Sequence, residues 1–218
     1  MTSKDAKMET TFRRGDTTMK FNPDSSFFKG ITLASQFIAL NFLFILSCLP
    51  VLTIGAATAA MLDVSLRYAD HEQGYLLKGY FNSFIKNWRR ATIIFACFGV
   101  PIVLLVLASF FWFSLQNILG TIIGLLAAFI AVYFFICWLV ATSLVVRYET
   151  PIKQLLKNAL LLPIAHPVKI GALFLIPLTL FCLMILMPGF KIPILSVGFA
   201  FSFYCSAFLL LSVFQQHS

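Results

Sequence analysis

The chain has 218 residues, of which 60% are hydrophobic and 11% charged, and its net charge is +8. Soluble domains carry roughly 25% charged residues, so this composition excludes a globule with an ordinary water-facing surface. The basic residues lie between apolar segments, which excludes a nucleic-acid patch and fits the rule that Lys and Arg hold loops in the cytoplasm.

Residues 1–26 are polar and mixed in charge, with no early apolar run and no small-residue cleavage site. They read as a cytoplasmic tail rather than a secretory signal. Residues 27–214 then form a single transmembrane domain, and 215–218 a cytoplasmic C-terminal tail. Because a spanning helix needs about 20 apolar residues, the uncharged intervals give the spans directly. Segment 31–49 is the first. No charged residue lies between Arg90 and Arg147, so that interval holds two spans, 91–115 and 118–146. Trp88 and Trp112 fall near the ends of the first of these, as interfacial aromatics do. Two more spans, 170–187 and 193–214, flank the breaker-rich turn Met187-Pro188-Gly189-Phe190-Lys191-Ile192-Pro193.

Five spans would put the basic N-terminal region and the basic loop 67–90 on opposite sides. A sixth element removes the conflict. Segment 51–66 is apolar up to Asp63 and follows Pro50, which ends or kinks a helix. If the chain turns there and returns through 51–66, every basic loop faces the cytoplasm. The expected fold is therefore all-α: a polytopic transmembrane bundle of five to six membrane segments arranged as three hairpins. Both termini face the cytoplasm of a cell membrane. Segment 51–66 is short, so it is either a short helix or a re-entrant piece screened by its neighbours.

Two basic stretches show helical periodicity. In 81–90, Phe81, Phe84, Ile85 and Trp88 oppose Asn82, Lys86 and Arg89. In 152–162, Lys153, Gln154, Lys157 and Asn158 oppose Ile152, Leu155, Leu156, Ala159 and Leu160. Both are expected to lie flat on the inner leaflet. Each carries Lys-Asn, at 86–87 and 157–158, a faint hint of an internal repeat.

Catalytic constellations and metal-ligand spacings are absent, so neither an enzyme nor a cofactor is expected. His71, His166 and His217 are dispersed, and Cys48, Cys97, Cys137, Cys182 and Cys205 each sit singly in apolar sequence, where Cys packs as a small hydrophobe. Asp63 invites two readings. A carboxylate at membrane depth raises ion or proton handling, whereas its spacing to Arg67 suits an i,i+4 ion pair. The most distinctive segment is 48–60. Pro50 and Gly55 interrupt helix, Thr53 and Thr58 can bond freed backbone, and Gly55/Ala59 and Ala56/Ala60 allow close helix approach. Interrupted helices line substrate sites in transporters; a tight turn leading into a closely packed helix is the other reading. Gly120 and Gly124 form a GxxxG that suits dimerisation or packing against 91–115. Asn41, alone in the first span, needs a partner, most simply backbone freed near Pro50.

The run Asn41-Phe42-Leu43-Phe44, then Cys48-Leu49-Pro50, Thr53-Ile54-Gly55-Ala56-Ala57-Thr58-Ala59, and Phe81 to Trp88 resembles the YesL-like family of bacterial multi-pass membrane proteins of unknown function. The resemblance covers roughly residues 25–95 and marks Asn41, Pro50, Thr53, Gly55, Thr58, Phe84 and Asn87 as motif positions. It implies a link to carbohydrate uptake, because such proteins are commonly encoded beside saccharide importers and sensors. The expected function is an accessory or regulatory subunit of oligosaccharide uptake. Its partners would be the lipid bilayer, importer subunits or a membrane sensor kinase, and further copies of itself. A transporter in its own right is the alternative.

Overall fold

The computed structural model describes residues 26–70, 75–187, 189 and 191–214. The expected tails, 1–26 except for Ser26 and 215–218, lie outside them, as do His71, Pro188 and Phe190. Among the described residues the chain is helical throughout: α1 (Ser26–Ser47), a 3₁₀ turn (Val51–Thr53), α2 (Ile54–Ala69), α3 (Leu76–Ser114), α4 (Ile118–Arg147), α5 (Ile152–Ala165) and α6 (Pro167–Leu186). The last helix, α7 (191–214), consists of Lys191–Pro193, a π-helical stretch Ile194–Gly198 and Phe199–Phe214.

Helices α3, α4, α6 and α7 are long and apolar enough to cross a membrane. In α1 the apolar stretch is shorter, Thr32–Ser47, and α2 has 16 residues, roughly 24 Å at 1.5 Å per residue. Successive elements pair as the three expected hairpins: α1 with α2, α3 with α4, and α6 with α7.

Burial singles out α2. Gly55 through Leu66 are all buried, including Thr58, Asp63 and Ser65. Neighbours on every side make this possible, because α2 packs on α3, α4, α7 and α1. Small residues set the distance. A Cβ on Gly55 would come within 2.6 Å of both the Ala91 carbonyl oxygen and the Phe95 Cβ, so glycine lets α2 press onto the α3 backbone. Ala59 continues this face into a core with Ala91, Ile94, Phe98, Cys137 and Val140. The opposite face, with Ala57, Ala60, Met61 and Val64, meets Leu40, Phe44 and Tyr80.

The α3–α4 hairpin is the longest contact in the fold. Its distal half meets through Gly120, Gly124, Ala127 and Ala131, with Val103, Leu107, Phe110, Ile122, Leu126 and Phe129 exposed outward. A Cβ at Gly124 would lie 3.1 Å from the Phe113 ring and 3.2 Å from the Ser109 carbonyl oxygen, and Ser109 Oγ donates to the Gly124 carbonyl at 2.9 Å. Both glycines of the GxxxG are thus spent on packing within the chain. The connecting turn places Gln116 at φ 49°, and Asn117 Oδ1 accepts from the Gly120 amide to cap α4.

Residues 81–90 differ from expectation. They are the N-terminal part of α3, a continuous helix of 39 residues, about 60 Å long, and not a separate helix lying flat. Its buried face is Tyr80, Ser83, Asn87 and Ala91, while Phe81, Ile85 and Trp88 point outward. The second basic stretch is a helix of its own, α5, and buries Leu155 and Ala159 as its periodicity predicts. Lys153, Gln154, Lys157 and Asn158 are exposed. The two Lys-Asn pairs therefore occupy unlike environments, with Asn87 buried and Asn158 exposed, which removes the hint of a repeat.

The basic ends converge. Lys86 Nζ lies 3.1 Å from Glu149 Oε1, Arg90 donates to the Thr150 carbonyl, and Lys169 Nζ donates to the Ser212 carbonyl at 3.0 Å. The Lys86 ammonium, hydrogen-bonded to Glu149, holds that carboxyl below its ordinary range. One apolar core joins Leu66 and Ala69, Leu144 and Val145, Leu155 and Ala159, and Ala207, Leu210 and Leu211. The ends of α2, α4 and α7 and the start of α5 are thereby gathered at one end of the bundle.

Two glycine substitutions separate close packing from helix propensity. Gly55→Ala should lower stability by about 1–3 kcal/mol, the range for overpacking. Gly171→Ala, with nothing within 4 Å of the added Cβ, should be neutral or raise stability by up to about 1 kcal/mol, because Ala is the better helix former. Thermal unfolding of both variants in detergent, followed by circular dichroism, checks the contrast.

Candidate functional site: an apolar cavity beside the π-helical turn

The turn between α1 and α2 is built by one hydroxyl. Pro50 cannot donate a backbone hydrogen bond, and the chain leaves α1 there. Thr53 Oγ1 lies 2.6 Å from the Ser47 carbonyl and 2.6 Å from the Pro50 carbonyl, tying the end of α1 to the start of α2. One turn into α2, Thr58 Oγ1 donates to the carbonyls of Ile54 at 2.9 Å and Gly55 at 3.0 Å. Of the two readings of this segment, the geometry is that of a tight turn entering a closely packed helix. The same helix also forms one wall of a cavity.

Asn41 is fully buried, but its partner is not near Pro50. Its Nδ2 donates to the Leu195 carbonyl and its Oδ1 accepts from the Ala200 amide at 3.0 Å. Those two backbone groups are five residues apart, the pair that a π-helical bond would join. The carboxamide thus bridges the strained turn of α7, more than 150 residues away in sequence. Phe44, one turn beyond Asn41, meets Phe199 and Phe203 with ring centroids 5.9 and 5.5 Å apart.

Beside this turn lies a cavity of about 500 Å³. Ile54, Thr58 and Leu62 of α2 form one wall, and Phe135, Trp138, Leu139 and Thr142 of α4 another. On the α6 side are Leu173, Phe174, Pro177 and Phe181, and on the α7 side Phe199, Ser202, Phe203 and Ser206. Its hydroxyls are few and mostly committed: Thr142 Oγ1 donates to the Trp138 carbonyl and Ser206 Oγ to the Ser202 carbonyl, both at 2.8 Å. The buried indole N–H of Trp138 has no oxygen or nitrogen acceptor. The ring sits between Phe95 and Phe135, with centroids 5.9 and 5.6 Å away. Leu178 and Phe181 of α6 are exposed, so the cavity's rim opens sideways on that helix.

The remaining sequence candidates do not converge on the cavity. Asp63 is buried and receives a two-pronged bond from Arg67, Nε to Oδ1 at 3.1 Å and Nη2 to Oδ2 at 2.9 Å. That is the i,i+4 pair of the second reading. Asn87 Nδ2 donates to Ser83 Oγ at 3.2 Å on the buried face of α3, and Phe84 stacks on Tyr80 and meets Trp88 edge-on. Lys86 is paired with Glu149, and Arg89, Lys153 and Lys157 are exposed. Among the described residues no three His, Cys, Asp or Glu gather as metal ligands, and the five cysteines are free. The α4, α6 and α7 walls were missed in the sequence. Their available signals were Pro177 within an apolar span and Ser202 and Ser206 four residues apart.

The fold defines an all-α, multi-pass membrane protein. Residues 37–109, about a third of the chain, match the sequence model of a family described as a protein of unknown function, DUF624. This stretch runs from α1 through most of α3 and contains Asn41, Pro50, Thr53, Gly55, Thr58, Asp63, Phe84 and Asn87. No curated protein and no solved structure matches the chain.

Two substitutions test these assignments. Asn41→Leu leaves the Leu195 carbonyl and Ala200 amide without their side-chain partner and should cost about 1–3 kcal/mol, the usual penalty for a buried orphaned polar group. Thermal unfolding in detergent measures it. At the ion pair, Arg67→Ala strands a buried carboxylate and should destabilise more than Asp63→Asn, which keeps an acceptor for Arg67 and removes the charge. Equal losses in the two variants would contradict a structural role for this pair.

Proposed function

We propose that this chain is an accessory or regulatory membrane subunit tied to saccharide uptake, and not itself a conduit. The observation that carries the second half is polarity. The cavity has one wall after another of Phe, Leu and Ile, and three of its four hydroxyls donate to their own helix. A saccharide path needs convergent donors and acceptors for each sugar hydroxyl, since buried polar groups left unpaired are costly. The link to carbohydrate rests on the YesL-like resemblance of Asn41 to Trp88, and the family match over 37–109 falls on the same residues.

In this reading both termini face the cytoplasm of a cell membrane. The gathered basic ends support that orientation, because Lys86, Arg90 and Lys169 all lie at one end of the bundle and basic segments stay inside. Importer subunits or a sensor kinase would be engaged from that end, through the exposed cations of α5 and the outward face of α3.

Affinity purification of the tagged chain from cells grown with and without a plant glycan should recover importer or sensor components in the induced sample. Recovery of none, together with saccharide flux in liposomes containing the purified chain alone, would reverse the proposal in favour of a transporter.

A further inference from the structure

We propose that the cavity between α2, α4, α6 and α7 holds an acyl chain of a membrane lipid, drawn in sideways past α6. Three observations carry this, and none depends on the saccharide reading. First, the space is large and dry in character. Its volume of about 500 Å³ falls within the roughly 300–1,000 Å³ of ligand pockets. Even an engineered apolar void of about 150 Å³ stays free of water and takes up apolar molecules. Left empty, the lining forfeits dispersion contacts over its whole surface.

Second, the chemistry of the wall selects the occupant. Phe135, Phe174, Phe181, Phe199 and Phe203 dominate it, and no charged side chain contributes. Polar small molecules are excluded by the same accounting that excludes a sugar. Third, the opening faces the right phase. Leu178 and Phe181 at the rim are exposed, and the outer surface of α6 continues as Leu175, Ile185 and Leu186, also exposed. A helix of this composition crosses the bilayer, so hydrocarbon tails are what stand at the mouth. Pro177 lies in the same wall and cannot donate to the Leu173 carbonyl, which weakens α6 where an entering chain must displace it.

Trp138 makes the test direct. The full-length chain carrying Trp88→Phe and Trp112→Phe retains Trp138 as its one tryptophan. Purified in detergent, this protein is titrated with a fatty acid brominated along its chain, since bromine quenches indole on contact. The expected result is saturable quenching of Trp138, reversed by the unbrominated fatty acid and lost when Ser206→Phe fills the cavity. Quenching that rises linearly without saturation, or that is saturable but unchanged by Ser206→Phe, would overturn the proposal. If Ser206→Phe does not fold, saturation and competition in the parent protein still decide between a discrete site and simple partitioning. Reconstitution into vesicles of phosphatidylcholine with brominated tails then separates lipid from free fatty acid. Quenching there that Ser206→Phe leaves intact would count as surface lipid only and overturn the lipid assignment.

Discussion

Gly55 sets the spacing of the bundle. Because nothing larger than hydrogen fits between its Cα and the Ala91–Phe95 backbone of α3, α2 seats directly on α3, and the positions of its other faces follow. Ala57, Ala60 and Met61 turn toward α1 and Tyr80, while Thr58 and Leu62 face the cavity. A 16-residue helix is too short to span the roughly 30 Å of hydrocarbon unaided. It is stable here because longer helices surround it and because its hydroxyls bond its own backbone, as an element at membrane depth requires.

A second constraint acts at the far end of the chain. The π-helical stretch of α7 leaves backbone groups misaligned, and Asn41 supplies both a donor and an acceptor to bridge them. A carboxamide carries a donor and an acceptor on one planar group, and Asn41 uses both here. The pairing couples α1 to α7, closes the ring of helices around α2, and fixes Phe199 and Phe203 against the cavity. The two constraints therefore meet at one place: Gly55 positions the α2 wall and Asn41 positions the α7 wall.

Much of the fold was legible in the sequence because it is written in charge. Uncharged intervals gave α3, α4, α6 and α7, and the spacing of the basic loops favoured a return through 51–66, where the chain forms α2. The packing faces were harder to read. In 81–90 the large apolar side chains Phe81, Ile85 and Trp88 make the outward face, and the packed face is Ser83 and Asn87, continued by Ala91. Small and weakly polar residues let two helices approach closely, and here they take the interface. The same rule hides the cavity. Helix α4 is apolar around its whole circumference, so no periodicity marks Trp138 or Thr142 as different from Phe129. Asn41 was legible as a residue needing a partner, but its partner is set by a local helical distortion that no residue type at 194–198 announces.

The sequence motif and the cavity are separate features that share one helix. Most of the motif residues, Pro50, Thr53, Gly55, Phe84 and Asn87, do structural tasks: they turn the chain, seat α2 and line the α2–α3 contact. Thr58 alone among them reaches the cavity, and its hydroxyl donates back to the carbonyls of Ile54 and Gly55. The physical logic of 48–60 is accordingly that of a foundation. It supports a wall whose chemistry is completed by α4, α6 and α7, outside the stretch that the family match covers.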